Sequence, residues 1–466
     1  MYMIEVVVMK DTALQKQLQG RLLRWQELGE KPTAEQIQRL HIKTMQGFTS
    51  DGRCNRCGTK DATKRITTPC TNCERDCYYC ESCFTMGKIK SCTTLYTIDE
   101  AEPIVESKQA VSITYKGELS SEQQRISQEL VEWVKTDGYS EHLVWAVTGA
   151  GKTEMVFAAI GEVLSSGGKV AFVSPRVDVC LEVAPRLQVA FSTVEQLVLY
   201  GKGDHTYHPV PLVIATTHQL LRFYRNFDLL IIDEIDAYPY SDEVMLQFAS
   251  KRALKQNGKW LMLSATPNRT LRKAVKEKQL TANLLTARYH GVALPVPKHV
   301  WVGDWQRVLE KGDLPKNVRK WIMQRLSNNS PFLLFVPEIK WLEPVYERIK
   351  KHFPTYKGAY VFSGSYNRKE TVEQMRQGKL DYLVTTTVLE RGVTFEGIDV
   401  GVLGSGGAIF TSEVLMQIAG RVGRSYQHPR GEVVFWHYGK TIASIQAVSM
   451  IKELNRLARE KGLIQE

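Results

Sequence analysis

Residues 146–153, Ala-Val-Thr-Gly-Ala-Gly-Lys-Thr, have the types and spacing of a phosphate-binding loop. Backbone N–H groups at a helix N-terminus offer partial positive charge to phosphate oxygens. We predict that Gly149 and Gly151 line a bound nucleotide, that Lys152 reaches the β- and γ-phosphates of ATP, and that Thr153 holds Mg²⁺. An apolar run precedes the loop and a helix-compatible segment follows it, which is the strand–loop–helix context of such a site.

Two adjacent carboxylates, Asp233 and Glu234, follow the apolar run at 229–232. A carboxylate at a strand end is placed to hold a metal ion, and its neighbour can polarise the attacking water. An acidic pair alone is usually solvated surface, but here it follows the phosphate loop in the order of an α/β nucleotide site. We therefore assign Asp233 to Mg²⁺ and Glu234 to water activation.

Two arginines, Arg421 and Arg424, lie in the segment 417–424, Gln-Ile-Ala-Gly-Arg-Val-Gly-Arg. Their separation of three residues predicts one face of a helix. A fixed guanidinium stabilises charge that develops on a γ-phosphate. We expect both arginines to serve ATP hydrolysis rather than to form a solvated basic helix.

Eight of the nine cysteines fall within a short N-terminal segment. They are Cys54, Cys57, Cys70, Cys73, Cys77, Cys80, Cys83 and Cys92. Cys-x-x-Cys steps let two thiolates converge on one tetrahedral zinc ion, so the spacing predicts Zn²⁺ binding. The eight thiolates fit two four-cysteine sites or one site with spare cysteines. Basic residues surround them, which suits either nucleic-acid contact or a purely structural role.

Together with Ser264-Ala265-Thr266, these segments form a motif set that resembles that of superfamily 2 helicases and translocases. The resemblance implies two tandem RecA-like α/β lobes, doubly wound on parallel sheets, with the first lobe supplying Lys152 and the acidic pair and the second supplying the arginines. It makes Gln123 a candidate adenine contact. One departure is Ile418, where many relatives have arginine. The implied nucleic-acid contacts are Pro175, Arg176, Thr216, Thr217, His218, Thr386, Arg391 and Gly392.

More specific blocks resemble the ComFA family of late-competence DNA-uptake ATPases. They include Arg-Cys-Asn-Arg-Cys-Gly at 53–58 and Tyr-Tyr-Cys-Glu-Ser-Cys at 78–83. The resemblance implies an N-terminal zinc finger, which this sequence matches with Cys54, Cys57, Cys80 and Cys83. The four other cysteines of the segment are additional to that pattern and make a second zinc site plausible. It further implies a DNA-stimulated ATPase that draws single-stranded DNA through a membrane channel with other competence proteins.

Elements that position these residues can be read from the pattern of apolar residues. Gly291 to Pro297 reads as a hinge, and strands are expected near 332–336, 359–362, 380–385, 400–403 and 433–437. The predicted domains are a helical segment at 1–50 with its helix near 15–28, the cysteine-rich zinc module at 51–95, a connector at 96–116, the first lobe at 117–290, the second lobe at 298–440 and a terminal helix at 441–466.

Composition agrees with a globular nucleic-acid motor. The net charge is +11, which suggests a polyanionic partner. No stretch reaches about 18 uninterrupted apolar residues, so we expect no membrane span, and the apolar N-terminus is too short for a secretory signal. We expect a cytoplasmic protein, with docking on the inner face of the membrane open.

Two alternative functions remain at this point. A PriA-like replication-restart helicase shares the arginine motif and has many cysteines, although its cysteines interrupt the second lobe. A nucleic-acid-binding adaptor with a degenerate nucleotide fold is disfavoured because Lys152, Asp233, Glu234 and both arginines are present.

Overall fold

The computed structural model describes residues 11–99, 111–201 and 207–464. The chain forms two compact units. The first comprises Met1–Val144, Thr153–Ser264 and Ala274–Ala282, and the second comprises Trp145–Lys152, Ala265–Lys273 and Asn283–Glu466. The cysteine-rich segment therefore belongs to the same compact unit as most of the first α/β sheet.

The N-terminal part of the first unit contains two small antiparallel sheets. One has the strand order β1-β5-β2, and the other is the hairpin β3-β4. The strands are β1 Leu23–Arg24, β2 Lys43–Gln46, β3 Arg65–Cys70, β4 Arg75–Cys80 and β5 Thr94–Thr97, and the helices are α1 Trp25–Leu28 and α2 Ala34–Arg39.

The helix expected near 15–28 is broken into two pieces. Residues 11–18 are helical, and α1 begins only at Trp25. Gly20 lies between them in the left-handed region at φ +67°. An alanine there would clash with Asn226, since its Cβ would lie 1.9 Å from Asn226 Oδ1. The chain turns at Gly20, so that Leu18 packs in the small N-terminal cluster while Leu22 donates its N–H to the carbonyl oxygen of Arg222 in the first lobe. Periodicity alone does not reveal that turn.

The first lobe is built on a seven-stranded sheet with the order β12-β6-β11-β10-β7-β9-β8. Its strands are β6 Ser140–Ala146, β7 Val170–Ser174, β8 Gln196–Leu199, β9 Leu212–Thr216, β10 Phe227–Asp233, β11 Leu254–Ser264 and β12 Thr281–Leu285. Its helices are α3 Ser121–Lys135, α4 Lys152–Met155, α5 Phe157–Ser165, α6 Val177–Ala190, α7 Val244–Ala253 and α8 Arg269–Lys276. Strands β7 and β9 are buried along their whole length, as expected in a parallel sheet covered on both faces.

The second lobe has a six-stranded sheet with the order β13-β18-β17-β14-β16-β15, parallel throughout. Its strands are β13 Lys298–Trp301, β14 Phe332–Phe335, β15 Gly358–Val361, β16 Tyr382–Thr385, β17 Asp399–Leu403 and β18 Val433–His437. Its helices are α9 Trp305–Glu310, α10 Lys316–Ser327, α11 Leu342–His352, α12 Arg368–Arg376, α13 Ser412–Ala419 and α14 Ile442–Glu460.

The predicted fold class of two parallel-sheet α/β lobes is confirmed. The core of the second lobe is rich in aromatic residues, with Trp321 packed edge-on against Trp436 at 5.2 Å between ring centroids. This packed interior fixes the strands after which the loops with the candidate site residues begin. Among the helices in the described part of the chain, none is both long enough and apolar enough to cross a membrane.

Candidate functional site

The phosphate loop follows the end of β6 at Ala146. Gly149 and Gly151 adopt left-handed backbone angles, φ +78° and +72°, which side chains larger than hydrogen rarely accept. Helix α4 then begins at Lys152, whose Nζ donates to the carbonyl oxygen of Ala146 at 3.3 Å, while Thr153 is buried. The local backbone is therefore that of a loop whose N–H groups can face an anion at a helix start.

The acidic pair ends strand β10. Asp233 is its last residue, and its Oδ1 accepts a 2.9 Å hydrogen bond from the backbone N–H of Glu234. Glu234 has φ +56°, an uncommon angle for a residue with a side chain. Its carboxylate lies 3.9 Å from Nε of Arg176, one of the residues expected to contact nucleic acid. The expected water-activating group and an expected DNA contact are thus neighbours.

Residues expected to contact nucleic acid in the first lobe lie at the ends of two paired strands, since Ser174 of β7 is in register with Thr216 of β9. Of this group, Pro175, Thr216 and Thr217 are buried, whereas Arg176 and His218 are partly exposed. Burial lowers the pKa of His218, and Glu243 opposes that effect. Within this group, Arg176 and His218 are therefore the side chains that solvent, or a bound nucleic acid, can reach.

In the second lobe the corresponding residues follow β16. Thr386 and Gly392 are partly exposed, but Arg391 is buried, with its Nε 3.8 Å from Glu390. The guanidinium of Arg391 faces a neighbouring carboxylate inside the lobe. A direct DNA contact through Arg391 therefore needs a rearrangement that Thr386 does not need.

The two motif arginines do not share a helix face, and that expectation was wrong. Helix α13 ends at Ala419, and the segment that follows passes through Gly423 at φ +70°. Arg421 is buried and donates from Nε to the carbonyl oxygen of Glu390 at 3.0 Å. Arg424 is half-buried and donates to the carbonyl oxygen of Gly420 at 2.9 Å. Turn geometry, not helical spacing, sets where each guanidinium lies.

Gln123 is buried at the start of α3. Its side-chain oxygen accepts the backbone N–H of Ser120 at 2.7 Å, and the Ser120 hydroxyl accepts from the Gln123 N–H. This reciprocal capping box gives the glutamine a local role in helix initiation. The adenine contact stays a prediction.

Arg288 is a residue that sequence reasoning missed. It is buried within the second unit and donates hydrogen bonds to four main-chain carbonyls, those of Thr148, Gly420, Val422 and Gly423. Burial lowers its pKa to about 9, and Arg424 acts in the same direction. One guanidinium thus ties the phosphate loop to the segment that carries the motif arginines. No motif signals it, because all four acceptors are backbone atoms.

The cysteines form two groups of four. Cys54, Cys57, Cys80 and Cys83, here called cluster one, are all buried, and Cys70, Cys73, Cys77 and Cys92 form cluster two. Within each group all four Sγ atoms lie within 4.8 Å of one another. In cluster one the Sγ–Sγ distances are 3.8 Å for Cys54–Cys83 and 3.5 Å for Cys57–Cys80. A tetrahedral ion with bonds of about 2.3 Å separates its sulfurs by about 3.8 Å, so cluster one fits zinc.

Cluster one is held against the first lobe by an arginine of α7. Arg252 of α7 donates to the carbonyl oxygens of Asn55 and Arg56, inside the first Cys-x-x-Cys step, and to that of Leu221. Burial, and after it the neighbouring Arg56, lowers the pKa of Arg252 to about 10, while the nearby Cys83 acts in the opposite direction. Positive charge of this kind offsets the negative charge of a four-thiolate zinc site.

Three family descriptions match successive parts of the chain. The Competence protein ComFA N-terminal domain matches residues 8–97, the DEAD/DEAH box helicase domain matches 121–274, and the Helicase conserved C-terminal domain matches 313–426. Competence protein ComFA of Bacillus subtilis is 39% identical over 98% of this chain and 98% of its own. The chain belongs to the ComFA family. ComFA of Streptococcus pneumoniae is 42% identical over 83% of this chain and 87% of its own.

Solved structures with the same fold are more distant. Mycobacterium smegmatis helicase Lhr, bound to ssDNA and AMP-PNP, is 17% identical with a TM-score of 0.54, over 73% of this chain and 48% of its own. S. cerevisiae Dbp5, bound to RNA and ADP BeF3, is 17% identical with a TM-score of 0.53, over 72% and 88%. At these identities the likeness shows the fold alone. ComFA membership and the helicase domains together identify a competence-related, superfamily 2 helicase-like ATPase.

Proposed function

We propose that this chain is an ATP-driven motor that moves on single-stranded DNA and draws transforming DNA into the cytoplasm during natural competence. The observation that carries the proposal is the phosphate loop, with left-handed Gly149 and Gly151 leading into Lys152 in a chain of the ComFA family. A degenerate nucleotide fold would not need to keep this backbone together with the acidic pair of β10.

Each ATP-site residue has a separate role in the proposal. Lys152 binds the β- and γ-phosphates, and Thr153 and Asp233 hold Mg²⁺, which neutralises phosphate charge when it is bound. Glu234 orients and polarises the attacking water. Arg421 and Arg424 stabilise charge on the transferred phosphoryl group once they are released from their backbone acceptors. Arg288 positions the loop on which this chemistry depends.

DNA binding in the proposal is mainly to the phosphodiester backbone. The partly exposed Arg176 and His218 contact DNA from the first lobe in this proposal, and the partly exposed Thr386 and Gly392 contact it from the second. The net charge of +11 favours a polyanion, so affinity should fall steeply as salt displaces the contacts. Little base specificity is expected from such contacts.

Cluster one binds one structural zinc ion in this proposal, because its four buried thiolates have the separations of a closed tetrahedral site. The module that it folds stays with the first lobe through Arg252. In this proposal the chain works in the cytoplasm, with docking at the inner face of the cell membrane open, together with other competence proteins and the membrane channel.

The decisive experiment measures ATP hydrolysis by the purified full chain with no DNA, with single-stranded DNA of increasing length, and with blunt duplex. The proposal expects single-stranded DNA to stimulate turnover, with stimulation that grows with length before it reaches a plateau. Translocation would be followed with a dye at one end of the strand. The matched control is Lys152→Ala, which should bind DNA yet give neither hydrolysis nor dye displacement.

Each alternative has its own outcome. Length-independent stimulation without dye displacement would contradict translocation and leave a DNA-stimulated ATPase. Strand separation at a forked substrate, with weak activity on single strands, would favour the restart-helicase function. No hydrolysis with any nucleic acid would favour the adaptor.

A further inference from the structure

We propose that cluster two, formed by Cys70, Cys73, Cys77 and Cys92, binds a second zinc ion of its own. The inference goes beyond the proposed function, because it concerns the metal chemistry of the N-terminal module and not the motor. It is independent of whether the chain hydrolyses ATP.

The sulfur positions fit a tetrahedral ion. Cys70 Sγ lies 3.7 Å from Cys92 Sγ, and Cys73 Sγ lies 3.1 Å from Cys77 Sγ. A zinc ion with four thiolates separates its sulfurs by about 3.8 Å, so the first distance already fits and the second opens by a fraction of an ångström on binding. Both distances are well outside the roughly 2.05 Å of a disulfide bond.

The loop at Cys70–Cys73 has the same backbone as the loop at Cys54–Cys57. In cluster one, Gly58 N–H donates to the carbonyl oxygen of Cys54 at 2.8 Å, with Gly58 at φ +75°. In cluster two, Glu74 N–H donates to the carbonyl oxygen of Cys70 at 2.9 Å, with Glu74 at φ +53°. The two Cys-x-x-Cys turns therefore close in the same way, although the second uses a residue that pays a steric cost for the left-handed angle.

Strand β4 keeps the two groups of ligands apart. It carries Cys77 of cluster two and Cys80 of cluster one, three residues apart. Successive side chains of a strand point to opposite faces, so residues an odd number apart lie on different sides. One ion cannot take both cysteines from this strand. The eight cysteines therefore divide into two separate groups of four, and no single ion can draw on both.

A charged donor lies against one sulfur of cluster two, as hydrogen-bonding groups do around the ligands of bound metals. Lys90 Nζ lies 3.3 Å from Cys70 Sγ. Donors aimed at sulfur stabilise thiolates, the form in which cysteine binds zinc.

The experiment measures zinc per chain in the full-length protein, purified without added metal chelator, by mass spectrometry of the element. The wild-type chain should carry two zinc ions. Cys73→Ser should lower the content to one and leave cluster one filled. Cys180→Ser is the matched control, because Cys180 is a buried cysteine outside both clusters, and it should keep both ions.

A second pair of variants guards against misfolding after loss of a ligand. Glu74→Gly removes the steric cost of the left-handed angle and should slow removal of one zinc ion by a competing chelator several-fold. Glu74→Val, with a β-branched side chain at that angle, should speed the loss of the same ion. In the cadmium-substituted wild-type chain, ¹¹³Cd NMR should give two resonances of the four-sulfur type.

One zinc ion per wild-type chain, unchanged in Cys73→Ser, would overturn the proposal, as would a single cadmium resonance. A disulfide between Cys73 and Cys77 in the freshly purified chain would also overturn it, because those two thiols would no longer be available to a metal.

Discussion

The guanidinium of Arg176 lies 3.9 Å from the carboxylate of Glu234, so a residue expected to contact DNA faces the residue expected to activate water. Arg176 follows β7, and Glu234 follows β10, the strand paired with β7. A DNA phosphate that engages Arg176 competes with this carboxylate. If both roles hold, we expect this pair to link DNA binding to ATP hydrolysis.

Arg176→Ala should raise ATP hydrolysis without DNA and reduce its stimulation by single-stranded DNA, because Glu234 loses a charge partner that DNA would otherwise remove. Arg176→Lys should retain part of the stimulation. The measurement is kcat with and without a saturating oligonucleotide. Unchanged basal turnover together with normal stimulation would show that the pair is unrelated to coupling.

Lys152→Ala should lower kcat for ATP by about 10²–10³-fold, a loss of order 3–4 kcal/mol in stabilisation of the transition state. The unfolding midpoint should stay close to that of the wild-type chain, since the ammonium makes a loop contact and not a core contact. Lys276→Ala, at an exposed lysine that ends α8, is the control and should hydrolyse ATP normally. Appreciable turnover in Lys152→Ala would remove this lysine from the ATP site.

Arg288→Lys should be far from conservative. Lysine keeps the charge but cannot serve the carbonyls of Thr148, Gly420 and Val422 with one ammonium group. Loss of charge-assisted hydrogen bonds, each worth about 1.5–3 kcal/mol, should lower the unfolding midpoint and raise KM for ATP. Arg319→Lys, at a surface ion pair, should leave both quantities unchanged. Normal KM and midpoint in Arg288→Lys would mean that the phosphate loop holds its shape unaided.

Glu27 should make stability depend on pH. Burial opposes its ionisation, but Arg56 and Arg24 outweigh that effect and lower its pKa to about 2 from an ordinary 4.5. A lowered carboxyl pKa contributes stability above the unfolded value that is lost as pH falls, here between about 4.5 and 2. The full contribution is about 3 kcal/mol.

Glu27→Gln should therefore be less stable than the wild-type chain at pH 7, with a difference that shrinks as pH falls through that window. Urea unfolding of both chains at a series of pH values measures the difference. A difference that is constant with pH would indicate lost packing and not a lost ion pair. Glu30→Gln changes a nearby exposed carboxylate and serves as the control.

Gly58 should tolerate alanine worse than Gly167, a left-handed glycine in open surroundings. A Cβ there would lie 2.4 Å from the ring of Phe248 on α7, whereas a Cβ on Gly167, at nearly the same φ, would meet nothing within 4 Å. Both substitutions incur the left-handed cost of about 1–2 kcal/mol, and Gly58→Ala adds the clash. Thermal unfolding should rank Gly58→Ala below Gly167→Ala, and Phe248→Ala should relieve part of the difference. Equal midpoints would mean that this contact yields easily.

The sequence predicts the buried parallel strands well, because an apolar run flanked by turns is a local signal. The predicted strands near 332–336 and 433–437 lie within one residue of β14 and β18. The prediction from sequence fails at the motif arginines. Their spacing of three residues suggested a helix through both, but the helix ends at Ala419, before either arginine. A glycine-rich segment after a helix can continue or turn, and tertiary contacts decide which.

The division of the cysteines into two groups and the contacts of Arg252 and Arg288 could not be predicted from local sequence patterns, for a different reason. Cys-x-x-Cys steps announce metal ligands, yet only the β3–β4 hairpin determines that Cys77 and Cys80 face apart. Arg252 and Arg288 bind carbonyl oxygens, which every residue has, so no residue type marks their acceptors. Contacts of side chains with backbone atoms far along the chain are therefore the part that the sequence conceals.

The anchoring of Arg252 has a practical consequence for dissecting this molecule. A shortened protein that begins at the first lobe would lack the carbonyl oxygens of residues 55 and 56, to which Arg252 donates. It would also expose to water the apolar surface that the N-terminal module covers. Poor solubility of such a fragment would therefore not be evidence about the ATPase activity of the motor lobes. A fragment meant to contain the motor lobes without the zinc module should therefore also carry a substitution of Arg252.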